Sequence, residues 1–226
     1  MEIKIRSIQK SKIIDVEKSI ISIQSNDDSI IKNLIDDYNA IKISNLDNYF
    51  IGDTVLNEIT LFTKYPELSL VTDIIKKIEL DNNFLDRYLK ELSYTEKIFL
   101  NILRNISRAE KIIVFENLFL GLDLKNRKKL IKLINYLKEK SYIIFITSED
   151  VDDLYNYSDY SIISDSNILK YGDTNDIYTD VSYLNKYKFK VPTLSYITYK
   201  AKEEKNIKLF YSKDVRDIIK DIYKHV

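Results

Sequence analysis

The chain has 226 residues, with 35 Lys and Arg balancing 35 Asp and Glu, one His, no Cys, no Trp and three Gly. Average usage would give roughly 16 Gly in a chain this long, and three scattered ones cannot build the Gly-rich loop whose backbone amides converge on a phosphate. Zero Cys excludes disulfides, thiol nucleophiles and Cys-ligated zinc, a lone His225 argues against His-based acid–base work and multi-His metal sites, and balanced charge argues against a dedicated nucleic-acid binder.

In chain order, Ile3 to Ile8 alternates like a short edge strand. Ser19 to Ile23 reads as a strand, followed by the polar turn Gln24-Ser25-Asn26-Asp27-Asp28 and a helix capped by Asp28 or Ser29 through Ile30, Ile31, Leu34 and Ile35. Val55 to Phe62, Asp73 to Leu80, Leu85 to Leu92 and Glu96 to Ile106 read as helical. Lys111 to Phe115 is an apolar run of strand length, typical of a central parallel strand. Asp123 stands at the N-cap of a helix whose buried face carries Leu130, Ile131, Ile134 and Leu137. Tyr142 to Ile146 is a second buried strand, and the stretches 161–163 and 167–169 form a hairpin around Asp165-Ser166. From Asp173 the chain reads as helical with one break at Val191-Pro192. Strand–helix alternation predicts an α/β sheet. No apolar run reaches the ~18 residues that span a bilayer. The N-terminus lacks the apolar core of a signal peptide, so a cytoplasmic location without membrane insertion is expected.

Leu92 to Asp123 resembles the core of an ATP-binding cassette (ABC) ATPase. The family's LSGGQ signature stands here as Leu92-Ser93-Tyr94-Thr95-Glu96, followed by a helix with Arg104 at a family Arg position. The apolar strand then runs into Glu116-Asn117, and the Gly-Leu-Asp turn is intact as Gly121-Leu122-Asp123. Ile146-Thr147-Ser148-Glu149 stands where the family has a strand leading into Thr-His-Asp. Asn45 to Ile59 and Phe189-Lys190-Val191-Pro192 are similar to the Q-loop and C-terminal segments of the energy-coupling-factor (ECF) branch, which powers vitamin and metal-ion uptake. Gly52, Gly121 and Gly172 fall where the family has turn glycines.

The resemblance implies an α/β nucleotide-binding-domain fold over residues 1–180. It would comprise a mainly parallel core sheet with flanking helices, a small N-terminal antiparallel sheet and a helical subdomain at about 56–106, with a C-terminal helical extension at 181–226. It also implies positions for chemistry that this chain lacks. The phosphate-loop position, Gln24, Ser25, Asn26, Asp27, Asp28 and Ser29, has neither Gly nor Lys. No aromatic residue precedes Tyr38 to stack on adenine. Glu116 stands at the Mg²⁺ position and Asn117 at the water-activating one, where an amide has no basic form near neutral pH. Ser148 replaces the family His, Ser44 the Q-loop Gln, and Tyr94 and Thr95 the signature glycines.

The expectation is a catalytically inactive ABC-type subunit with no cofactor; ATP and Mg²⁺ would enter only if the family function were retained. It would pair with an active ATPase subunit through Leu92, Ser93, Tyr94, Thr95, Gly121, Leu122 and Asp123. It would dock on a transmembrane subunit through Tyr49, Phe50, Phe62, Phe84 and Tyr88, placing it on the inner face of the cell membrane. Ser93 with Glu96 also fits a capping box, and Asp123 a simple N-cap. A soluble regulatory protein derived from an ABC ATPase, or a residual nucleotide sensor, are the alternative readings.

Overall fold

A computed structural model describes residues 1–16, 19–45, 49–61, 63, 65–108, 110–166 and 168–224. The N-terminal strands β1 (Glu2–Arg6) and β2 (Ser11–Asp15) form an antiparallel pair. β3 (Ile20–Ser25), β4 (Ile41–Ser44), β5 (Ile112–Glu116), β6 (Ile143–Thr147), β7 (Tyr160–Asp165) and β8 (Ile168–Asp173) build a six-stranded sheet in the order β4-β5-β6-β3-β7-β8. Its ladders are parallel except β7 with β8. The helices are α1 (Ser29–Tyr38), α2 (Val55–Leu61), α3 (Leu68–Lys77), α4 (Tyr94–Ile106), α5 (Leu124–Glu139), α6 (Val151–Tyr157), α7 (Thr174–Thr179), α8 (Val181–Lys186), α9 (Thr193–Lys205) and α10 (Val215–Ile222).

Both faces of the sheet are covered, which is why its central strands are apolar throughout. Alternate residues separate into two clusters. Ile112, Val114, Ile143 and Phe145 pack with Ile3, Ile5, Ile30 and Leu34 on one face. Ile113, Phe115, Ile144 and Ile146 pack with residues of α4 and α5 on the other. The outer edge of β1 is closed by α1: the Lys4 amide donates to the Tyr38 hydroxyl at 2.8 Å and the Arg6 amide to Asn33 Oδ1 at 3.0 Å. Edge groups satisfied in this way are not a template for further strands.

Some expectations require correction. Leu85 to Leu92 is not a helix but two single 3-10 turns, Phe84–Asp86 and Leu89–Glu91, because the chain between them is drawn into a bridge with Thr54 and the Arg87 carbonyl takes the Val55 amide at 3.1 Å. The C-terminal region is not helical throughout: α9 stops at left-handed Asn206, and α10 begins only after an irregular stretch. Gly172 lies within β8 and not in a turn, where a Cβ would make only ordinary contact with Ile177. β4 and α6 are elements beyond those expected, while β2 supplies the second strand of the expected N-terminal antiparallel sheet.

Candidate functional site

In an open parallel sheet, the chain leaves a crevice at the carboxyl ends of two neighbouring strands whose connections run to opposite sides. Here those strands are β3, which leads to β4, and β6, which leads to β7. A cleft of about 360 Å³ lies at this point. Its walls come from Gln24 to Asp28 after β3, Glu116 and Asn117 after β5, and Thr147 to Glu149 after β6. A fourth wall, Lys188 to Lys190, comes from the connection between α8 and α9.

The connection between β3 and α1 is only three residues long. Asp28 occupies the cap position but makes no side-chain cap bond. The carboxylate of Asp27 instead accepts from the Ser29 amide at 2.8 Å, while the Asp27 amide donates to Ser25 Oγ at 3.2 Å. A negative group is favoured at that helix end by the dipole. The turn is thus closed on itself by its own side chains. Gln24 Nε2 donates to the Lys190 carbonyl at 3.3 Å, and Lys190 Nζ donates to the Glu149 carbonyl at 2.6 Å. The 188–190 segment is therefore tied across the cleft from both sides, with Phe189 buried beneath it.

Glu116 ends β5 in register with Ser44 on β4 and Thr147 on β6. Its Oε1 lies 3.0 Å from Nζ of Lys42, a cation supplied by β4. Ser44 is buried, and its carbonyl accepts from Asn101 Nδ2 at 2.9 Å. Asn117 adopts a left-handed backbone (φ 53°), a conformation Asn tolerates better than most residues. Its Oδ1 accepts from the Glu149 amide at 2.9 Å, so the side chain holds the turn after β6. Ser148 Oγ donates to Asp153 Oδ2 at 3.2 Å and accepts from the Asp150 amide at 3.1 Å. Asp153 also pairs with Arg127, whose Nε donates to the Leu122 carbonyl at 3.3 Å. This chain of contacts joins the 121–123 turn to Ser148. Burial raises the Asp153 carboxyl above its ordinary value, against the opposing pull of Arg127.

Ser93 and Asp123 both cap helices. Ser93 Oγ accepts from the Glu96 amide at 3.3 Å and donates to Glu96 Oε2 at 2.8 Å, and the same carboxylate oxygen takes the Ser93 amide at 2.8 Å. This capping box starts α4 at Tyr94, two residues before the expected Glu96. Asp123 Oδ1 accepts from the Asn126 amide at 2.8 Å at the start of α5. Between the two caps, Tyr94 lies against Gly121: a Cβ on that glycine would sit 3.5 Å from the Tyr94 ring. Leu92 and Leu122 are buried, Thr95 is half-buried, and Tyr94, Leu120 and Leu124 are exposed.

Of the expected docking residues, Tyr49 is 91% exposed and Tyr88 is also exposed, while Phe50 is half-buried under the Arg104 guanidinium. Phe84 is fully buried, which removes it from any docking surface and makes it core. Phe62 lies outside the described residues, as does His225. Lys42, Lys188 and the Glu58–Arg104 pair also stand at or near these positions, without a sequence motif that marks them as partners. Only the strand alternation of Ile41-Lys42-Ile43 could have placed Lys42 near the carboxyl end of β5.

No family model matches the chain. Among curated proteins it is 26% identical over 121 residues to an energy-coupling factor transporter ATP-binding protein of Oenococcus oeni, a match covering 53% of this chain and 42% of that protein. It is 25% identical over 175 residues to the corresponding protein of Methanosphaera stadtmanae, covering 74% of this chain and 63% of the relative. The chain thus spans less than two thirds of the length of either relative. Among solved structures, cbiO1 from Clostridium perfringens, part of the ABC transporter complex cbiONQ, superposes with a TM-score of 0.63 at 14% identity, covering 85% of this chain and 92% of that one. The chain therefore has the fold of an ABC nucleotide-binding cassette, and the curated proteins it resembles are ATP-binding subunits of transporters.

Proposed function

We propose that this chain is a catalytically silent ABC-type subunit of an ECF-like transporter for small solutes such as vitamins or metal ions. It acts as the structural half of a heterodimer with an active ATPase subunit and docks on a transmembrane subunit at the inner face of the membrane. The observation that carries the reading is the β3–α1 connection. A magnesium–triphosphate needs converging amides, a cation and a metal-holding hydroxyl and carboxylate. Here the Asp27 carboxylate already takes the Ser29 amide, and Glu116 is neutralised by Lys42. Like charges at ~4 Å repel by about 1 kcal/mol even in bulk water. Among the described residues, no group of three or more His, Cys, Asp or Glu is arranged to hold a metal. These residues do not fit the nucleotide.

The partner role is supported by what the cleft's neighbours keep. Both caps that set the 93–96 and 121–123 turns are formed, and Tyr94, Leu120 and Leu124 leave that face open. Tyr49 and Tyr88 leave exposed aromatic surface for a second partner. Among the described residues no helix is long and apolar enough to cross a membrane, so membrane attachment in this reading runs through the partners. The test is co-expression of a tagged chain with a candidate partner ATPase and transmembrane subunit. Recovery of all three together, with uptake lost when this chain is deleted, is expected. A chain that purifies alone and whose deletion leaves uptake unchanged would overturn the proposal.

A further inference from the structure

A second cavity, of about 240 Å³, lies at the opposite end of β3 from the cleft. It opens where α5, the end of α6 and the segment before α10 meet the first residue of β3. Its floor is apolar: Ile20 and Ile134 are buried, and Ile131 and Tyr157 are partly buried. Tyr157 is held there by stacking on Phe119, with ring centroids 4.8 Å apart. Beside this floor stand two unlike charges, Lys213 and Asp159. Lys213 Nζ donates to the Ser158 carbonyl at 3.4 Å and lies 5.0 Å from the centre of the Tyr155 ring, so its ammonium rests against the peptide that leads into Asp159. Asp159 Oδ2 accepts from the Ile20 amide at 2.8 Å and from Lys138 Nζ at 2.7 Å. Among the described residues nothing donates to Asp159 Oδ1, and Lys213 is in no ion pair. Burial pushes the Lys213 ammonium below its ordinary value, against the opposing pull of Asp173 and Asp159.

A ligand with a single charge does not suit this pair. A carboxylate set on Lys213 would face Asp159, and an amine set on Asp159 would face Lys213, each a like-charge contact. A ligand that carries both charges on one carbon meets each with its opposite. The size of the cavity bounds the rest: at roughly 30 Å³ per water it holds about eight heavy atoms, the scale of a small amino acid such as leucine. We propose that this cavity binds a free α-amino acid with an apolar side chain. The ligand carboxylate accepts from Lys213 Nζ, its ammonium donates to Asp159 Oδ1, and its side chain covers Ile20, Ile131 and Ile134, where leaving water is favourable. A bound carboxylate also gives Lys213 the counter-charge that it lacks. The cavity shares no lining residue with the β3/β6 cleft and does not depend on the nucleotide reading.

The test is isothermal titration calorimetry of the full chain with four probes: L-leucine, 4-methylpentanoate, which lacks the amine, 3-methylbutylamine, which lacks the carboxylate, and glycine, which lacks the side chain. Saturable binding of leucine is expected, with each of the other three weaker by about tenfold or more, the least expected when a hydrogen bond to a charged group is lost. Lys213→Met and Asp159→Asn should each weaken leucine by a similar factor. Lys213 is exposed and Asn keeps an acceptor for the Ile20 amide, and unchanged circular dichroism would show that the variants fold. The comparison among probes needs no variant at all. No saturable heat with leucine in the millimolar range would overturn the proposal. So would 4-methylpentanoate or 3-methylbutylamine binding as tightly as leucine, which would reduce the site to a pocket for one charge, or a folded Lys213→Met chain that binds leucine like the parent.

Discussion

Glu58 is a fully buried carboxylate held by three donors: the amides of Ile51 at 2.9 Å and Gly52 at 2.8 Å, and Nη1 of Arg104 at 2.6 Å. Removing one member of a buried pair leaves the other charge uncompensated. Arg104→Met is therefore expected to cost about 3–5 kcal/mol, measured as a shift in the urea midpoint at unchanged slope. A loss within the range of an exposed pair, below about 1 kcal/mol, would show that Glu58 is satisfied without it. Glu96 gives a pH-dependent counterpart. Burial raises its carboxyl, but the Ser93 and Arg87 hydrogen bonds outweigh that and hold it below the ordinary value of 4.5. A depressed carboxyl adds stability that is present above its unfolded value and lost as pH falls through its folded one. The stability gap between the parent chain and Glu96→Gln is thus expected to be constant above about pH 5.5, roughly one unit over the unfolded carboxyl, and to shrink on acidification. A gap that grows toward low pH would contradict the capping-box account.

At the scale of elements, Gly52 shows how tightly the loop before α2 is pressed onto that helix. A Cβ there would lie 2.7 Å from the Glu58 amide nitrogen, a backbone atom that cannot swing aside. Gly52→Ala is expected to destabilise by about 1–3 kcal/mol, the usual range for overpacking, read from thermal unfolding; a neutral result would mean that the loop is not seated as described. The sequence resolved elements according to how fully each is buried. β3, β5 and β6 were legible because both of their faces are covered and their apolar runs are nearly unbroken. β2 was not, since only Ile14 of its five residues is buried and no period-2 pattern is left to read. The 85–92 stretch has helical spacing, yet it is extended at Arg87 and Tyr88 because pairing with Thr54 overrides local preference. The caps at Ser93 and Asp123 were legible, because capping depends on neighbours in the chain. The wall formed by Lys188 to Lys190 was not, because it reaches the cleft from more than 150 residues beyond Gln24. Lys42 escaped for the same reason: only strand order sets it beside Glu116.

At the scale of the whole molecule, two surfaces that an ATP-binding cassette joins in one site differ in character. At the cleft by the β3/β6 switch point, the Asp27 carboxylate occupies the first helix amide of the β3–α1 turn, and the 188–190 segment is tied across one wall. The face carrying Tyr94, Leu120 and Leu124 is open. Leu124 is 79% exposed, so Leu124→Asp is expected to change folding stability by no more than about 0.5 kcal/mol. The same substitution should sharply reduce recovery of the partner ATPase in co-purification; full recovery would place the partner elsewhere. The most direct test of the central claim is equilibrium dialysis of the isolated chain against ATP and Mg²⁺. The expected result is no bound nucleotide up to about 1 mM, a limit equivalent to roughly −4 kcal/mol. Saturable, stoichiometric binding below that concentration would contradict the account of the β3–α1 turn and return the cleft to nucleotide chemistry.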